Sequence, residues 1–189
     1  MLRLFSRRPN LQAAASNLGQ YGVPAETQSG FATFLAHAPD RELYHFNPRT
    51  LAERLGLDER TTLKLLLGAL YEGLVTLHWD VRCPACGSLD HRSTSLSHLH
   101  RQIRCPVCQT TYAPKMDDEV RVSFSPHPRV RPLPPAADDQ TFRAQIDERL
   151  GPVPGQALLL LPDFQRLFPQ ERLLPDESLE VSRVALIFT

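Results

Sequence analysis

Lysine is almost missing from this chain: Lys64 and Lys115 stand beside arginines in a total of 21 basic residues. The 21 acidic residues cancel that charge, leaving a formal net charge of zero and no global pull toward nucleic acid or an anionic membrane. Long apolar runs are missing too. No stretch approaches the roughly 20 apolar residues that a bilayer crossing needs. Residues 1–8 mix apolar side chains with arginines but have no apolar signal region behind them. The expectation is a cytoplasmic protein. No cysteine is left over, because all four fall in two Cys-x-x-Cys pairs. Glycine is scarce, nine against 17 prolines. No Ser-His-Asp set, phosphate-cradling glycine loop or paired-carboxylate site stands out. The chain is therefore expected not to be an enzyme, with no catalytic residue and no organic cofactor.

What is present suits a folded protein. A hydrophobic content of 42% over 189 residues allows one medium domain or two small ones. Residues 1–28 read as a loosely ordered lead-in with a short helix at residues 11–18. Residues 31–38 read as a short helix with Phe31, Phe34 and Leu35 on one face. The clearest writing follows. Asn47 caps a helix that begins at Pro48, runs through Leu51, Ala52 and Leu55, and stops at Gly56. Asp58 caps a second helix carrying Leu63, Leu66, Leu67, Leu70 and Tyr71 and ending at Gly73. Val75, Leu77, Trp79 and Val81 then alternate with polar residues, as a half-buried strand does. Helix, tight turn, longer helix and strand is the order of a winged helix-turn-helix unit. Residues 87–104 read as a polar hairpin, and Val120, Val122 and Phe124 mark another strand. Five prolines at 126, 128, 132, 134 and 135 make residues 126–140 a semi-rigid linker. Beyond it come a helix through Phe142, Ile146 and Leu150, an apolar strand at residues 156–161, a helical turn or two at residues 162–168, and a strand at residues 179–188.

Cys83, Cys86, Cys105 and Cys108 are the chemical centre of the sequence. Two Cys-Pro-x-Cys units separated by 18 residues match the spacing of a zinc ribbon. In a reducing compartment such pairs hold metal far more often than they form disulfides. Gly87 suits the left-handed position after the first pair, whereas Gln109 is a poorer choice after the second. Four thiolates fill a tetrahedral shell, so the expected Zn2+ is structural. His91, His98 and His100 read as a polar surface, since no carboxylate or spare cysteine is spaced to join them. With Arg92, Arg101 and Arg104 they form a locally basic patch of the kind that can touch nucleic acid. The second helix argues the other way. It opens Asp58-Glu59-Arg60, placing acids where a groove-reading helix needs donors and positive charge.

The run Leu43-Tyr44-His45-Phe46-Asn47-Pro48, then Leu51-Ala52-Glu53, Leu55-Gly56-Leu57-Asp58, Gly73-Leu74 and Trp79-Asp80, leads through both cysteine pairs to Val120-Arg121-Val122-Ser123-Phe124-Ser125-Pro126-His127-Pro128. This text resembles an uncharacterised bacterial domain family found ahead of class III adenylate/guanylate cyclase domains. Pro162-Asp163-Phe164-Gln165-Arg166-Leu167-Phe168, Glu177 to Val181 and Val184 to Thr189 resemble the lead-in and first strand of such a cyclase domain. The metal-binding aspartate expected next would fall after Thr189, so no cyclase residue carries over, and the chain reads as a fragment or a product cut at a domain border.

The resulting expectation is an α+β chain. Residues 1–27 are a tail, 28–82 a winged-helix-like unit, 83–125 a zinc ribbon, 126–140 a linker, and 141–189 the lead-in to a truncated cyclase-like domain. Its expected role is a non-catalytic, zinc-stabilised regulatory or protein-interaction module of a cyclase-type signalling protein. The partner would be another protein or the cyclase domain of the same parent chain, with no membrane contact. The resemblance also implies that the parent protein dimerises. The alternative is a nucleic-acid-binding winged-helix and ribbon module.

Overall fold

A computed structural model of the chain describes residues 10–93, 95, 96, 99 and 102–170, without the side chains of residues 90–93. The first helix, α1 (Leu11–Ser16), is capped by Asn10, whose side chain accepts from the amides of Gln12 and Ala13. A 3-10 turn (Asn17–Tyr21) continues it to Gly22. Next come α2 (Ala25–His37), α3 (Asp40–Leu43), α4 (Pro48–Leu55) and α5 (Glu59–Tyr71). The Asn47 and Asp58 caps form as their residue types dictate, accepting from Arg49 N and Thr61 N. Gly56 and Gly73 take the left-handed backbone that ends each helix.

The chain then enters a three-stranded antiparallel sheet ordered β2-β1-β5, from β1 (Val75–Arg82), β2 (Leu89–Ser93) and β5 (Val120–Pro126). A separate pair, β3 (Ile103–Arg104) and β4 (Thr111–Tyr112), belongs to the cysteine segment. β1 and β5 lie side by side with Trp79 opposite Val122 and Asp80 opposite Arg121. The cysteine segment is thus an excursion that leaves and returns at one end of a strand pair. After a 3-10 turn (Pro135–Ala137), α6 (Gln140–Leu150), α7 (Gly155–Leu159) and α8 (Pro162–Leu167) complete the described chain.

A continuous apolar core joins these parts, with Trp79, Phe31, Phe34, Phe124 and Phe164 among its fully buried side chains. Trp79 meets Phe164 edge-on at 6.1 Å between ring centroids. On the outer side of β5, Phe46 exchanges backbone hydrogen bonds with Phe124, and Val122 N donates to Val153 O. The architecture is therefore mixed helix and small antiparallel sheet.

Several local readings change. The lead-in is folded where it is described: Ala15 and Leu18 are buried, and Asn17, Gln20 and Tyr21 all donate to the Glu72 carboxylate. Helix α2 begins six residues before the expected 31, because its polar first turns carry no apolar period to announce them. Among the described residues of 87–104, expected as a hairpin, β2 pairs with β1 and β3 with β4. The proline-rich stretch is pinned rather than free. His127 N donates to Leu74 O, Val130 is buried, and Arg131 reaches Leu35 O and Asp40. Of residues 156–161, expected as a strand, 156–159 fall in α7 instead, and Leu160 and Leu161 lead from it to α8. The run Gln156-Ala157-Leu158-Leu159 is built of good helix formers and has none of the β-branched or aromatic residues that favour a strand. The expected strand at residues 179–188 lies outside the described residues.

Candidate metal centre

β1 ends on Arg82 and delivers Cys83 directly into a tight turn. Cys83 N donates to Ser88 O at 2.9 Å, and Gly87 N donates back to Cys83 O at 2.8 Å. The second turn repeats the pattern: Cys105 N donates to Thr110 O and Gln109 N to Cys105 O, each at 2.9 Å. Gly87 has φ 73° and Gln109 has φ 62°. The less suitable residue thus adopts the same left-handed backbone, and its side-chain amide donates to Pro106 O at 2.9 Å.

These twin turns face each other and bring the four sulfurs of Cys83, Cys86, Cys105 and Cys108 within 4.8 Å of one another. Cys83 Sγ lies 3.6 Å from Cys108 Sγ, and Cys86 Sγ 3.7 Å from Cys105 Sγ. Both distances are far beyond a disulfide bond of about 2.05 Å. They match the edge of a tetrahedron whose centre lies about 2.3 Å from each corner, roughly 3.8 Å. Cys83 and Cys105 are buried while Cys86 and Cys108 are exposed, so the cluster has an inner and an outer half. The Ser88 hydroxyl sits between two sulfurs, 3.1 Å from Cys86 and 3.2 Å from Cys105. That contact, with the amides of Cys108 and Val107, draws the Cys105 thiol down to about 6, whereas burial pushes the Cys83 thiol up to about 11. The donor set and spacing can hold a metal ion.

Other expected features are placed less fully. His98, His100 and Arg101 lie outside the described residues, as do the side chains of His91 and Arg92. Arg104 is exposed.

One constellation escaped the sequence reading. His45, Asp80 and Ser123 converge in the interior, all at least nine-tenths buried. His45 Nδ1 lies 2.9 and 3.1 Å from the two Asp80 oxygens, and the Ser123 hydroxyl donates to Asp80 at 2.6 Å. The same hydroxyl lies 3.2 Å from the same Nδ1. A nucleophilic relay needs serine and carboxylate on opposite ring nitrogens. With both on Nδ1, the trio is a structural clamp joining the approach to α4 to β1 and β5. His45 holds a left-handed backbone at φ 48° to reach it.

No curated protein and no solved structure matches the chain. A family described as a family of unknown function, DUF5939, matches residues 10–145. That span is wider than the resemblance read at residues 43–128, and it includes α1 to α5, the five described strands and the four cysteines. The chain therefore belongs to DUF5939, a family of unknown function.

Proposed function

We propose that this protein is a non-catalytic module, stabilised by one structural zinc ion on Cys83, Cys86, Cys105 and Cys108, that acts through protein contacts in a cyclase-type signalling protein. The approach of four sulfurs to within 4.8 Å of one another carries the reading. Zinc favours four thiolates in a tetrahedral shell, which leaves no position for water or substrate. The ion would organise the excursion between β1 and β5, where β3 and β4 contribute only two residues each. Binding free energies of small zinc modules, on the order of 10 kcal/mol, are ample for that. The cyclase link rests on the two sequence resemblances, at residues 43–128 and 162–189, and the partner would be the cyclase domain of the parent chain or another protein.

Helix α5 supports a protein partner over nucleic acid. In a winged-helix-like reading α5 would be the groove-reading helix. Its first-turn Glu59 is held by Arg49, and Leu63, Leu65, Leu66, Leu67 and Ala69 bury it on several sides. Phe168 packs edge-on against its Tyr71, and Lys64 pairs with Asp163 of α8. A helix packed in this way offers little to a groove.

Elemental analysis of the purified protein beside its Cys105→Ser variant tests the metal. One zinc per chain, absent from the variant, is expected. Wild-type protein purified without chelator and carrying no zinc would sink the reading. Duplex binding that weakens with salt and with Arg104→Gln would instead favour the nucleic-acid alternative.

A further inference from the structure

The twin turns of the metal centre repeat more than their cysteines. Cys83-Pro84-Ala85-Cys86-Gly87-Ser88 and Cys105-Pro106-Val107-Cys108-Gln109-Thr110 each place a hydroxyl residue two positions after the second cysteine. The two hydroxyls make different contacts. Thr110 is exposed, and its Oγ1 lies 3.4 Å from Cys108 Sγ of its own turn. Ser88 is half-buried, and its Oγ lies 3.1 Å from Cys86 Sγ of its own turn and 3.2 Å from Cys105 Sγ of the other. Apart from the cysteines, it is the one side chain among the described residues that meets sulfurs of both turns. The pair it joins is unequal, since Cys86 is exposed and Cys105 is buried.

Charge gives this position its weight. Four thiolates outweigh one divalent ion and leave the centre with excess negative charge, part of it on buried sulfur. Hydrogen-bond donors aimed at the sulfurs spread that charge and hold the ligands in place. The amides of Ala85 and Cys86 serve Cys83, those of Val107 and Cys108 serve Cys105, and that of Thr110 serves Cys108. The Ser88 hydroxyl serves Cys86 and adds to Cys105. Between thiols and a hydroxyl either partner can donate. Metal-bound thiolates have no hydrogen to give, so in the loaded site Ser88 is the donor, and its single hydrogen is shared across the two turns.

We propose that Ser88 is a metal-positioning residue, whose hydroxyl donates to Cys86 and Cys105 in the loaded site, ties the two turns together and sets how tightly the ion is held. The inference rests on the zinc reading above and deepens it. Thr110, confined to its own turn, has the smaller part.

Cobalt(II) is the probe, because it occupies tetrahedral thiolate sites and its sulfur-to-metal charge-transfer band reports the electron density on the sulfurs. The metal-free full chain is titrated with cobalt and then competed with zinc, for wild type, Ser88→Ala, Ser88→Thr and Thr110→Ala. Ser88→Ala should lower zinc affinity by about 10–100-fold. It should also move the charge-transfer band to longer wavelength, because a sulfur relieved of a hydrogen bond gives up an electron more readily. Ser88→Thr keeps the hydroxyl and should restore both, as the second turn already carries threonine at the matching position. Thr110→Ala should cost less affinity than Ser88→Ala. A Ser88→Ala protein that binds zinc as tightly as wild type, or binds it weakly with an unmoved band, overturns the proposal and leaves the zinc reading standing. Wild-type protein that takes up neither metal removes both.

Discussion

Asp80 occupies the face of β1 that alternation assigns to solvent, yet it is among the most buried charged residues described. Burial alone would raise its pKa. The hydrogen bond and charge of His45, the Arg121 guanidinium and the Ser123 hydroxyl outweigh that and hold the carboxyl down at about 2. The sign follows from linkage. A depressed carboxylate stabilises the fold above its unfolded value of 3.8, and the contribution is lost as pH falls through about 2. Full loss amounts to roughly 2 kcal/mol. Urea titrations from pH 5 to pH 2 should show wild type losing more stability on acidification than Asp80→Asn, which starts lower. Parallel curves would mean that Asp80 carries no folded-state shift. Legibility at this scale was uneven for a physical reason. The cysteines declare themselves by local spacing, whereas His45, Asp80 and Ser123 are joined only by tertiary contact. Alternation within β1 and β5 marks the last two as outward-facing, and nothing local shows that another element covers that face.

Helices α4 and α5 and strands β1 and β5 were readable because caps, stops and periodicity agreed with the tertiary outcome. α7 was not, and its packing explains why. Gly155 opens it against the core: a Cβ there would sit 2.5 Å from Met116 Cε, 3.1 Å from Val120 Cγ1 and 3.3 Å from Trp79 Cζ3. Only hydrogen fits in that gap, and Gln156 N donates to Met116 O beside it. This close approach seats the start of α7 against β5 and Trp79, and no residue pattern announces it. Gly155→Ala should therefore destabilise the protein by about 1–3 kcal/mol through overpacking, read as a lower denaturation midpoint with unchanged slope. An unchanged midpoint would show that the Met116 side chain simply swings aside.

At the scale of the whole molecule, the family match ends at residue 145, inside α6. The core does not end there. Val153 and Leu158 are fully buried, Phe164 packs on Trp79, and Asn47 donates to Asp147 and to Gly151 O. Sequence division at residue 141 into a separate cyclase-like lead-in therefore cuts through a packed interface. A fragment of residues 10–145 should lose cooperative melting and amide-shift dispersion, while residues 10–170 should keep both. A well-dispersed spectrum from the shorter fragment would show that α7 and α8 are dispensable.

The backbone bonds from Phe46 and Val153 along β5 also limit how this protein can recruit others. A flexible peptide often joins a protein by lying down as one more strand, trading its own amides for those of a bare sheet margin. Along β5 that handshake is already taken by the chain itself. A visitor arriving there must recognise side chains, so its selectivity would be written in shape and charge, and scrambling its backbone register alone would leave binding unchanged.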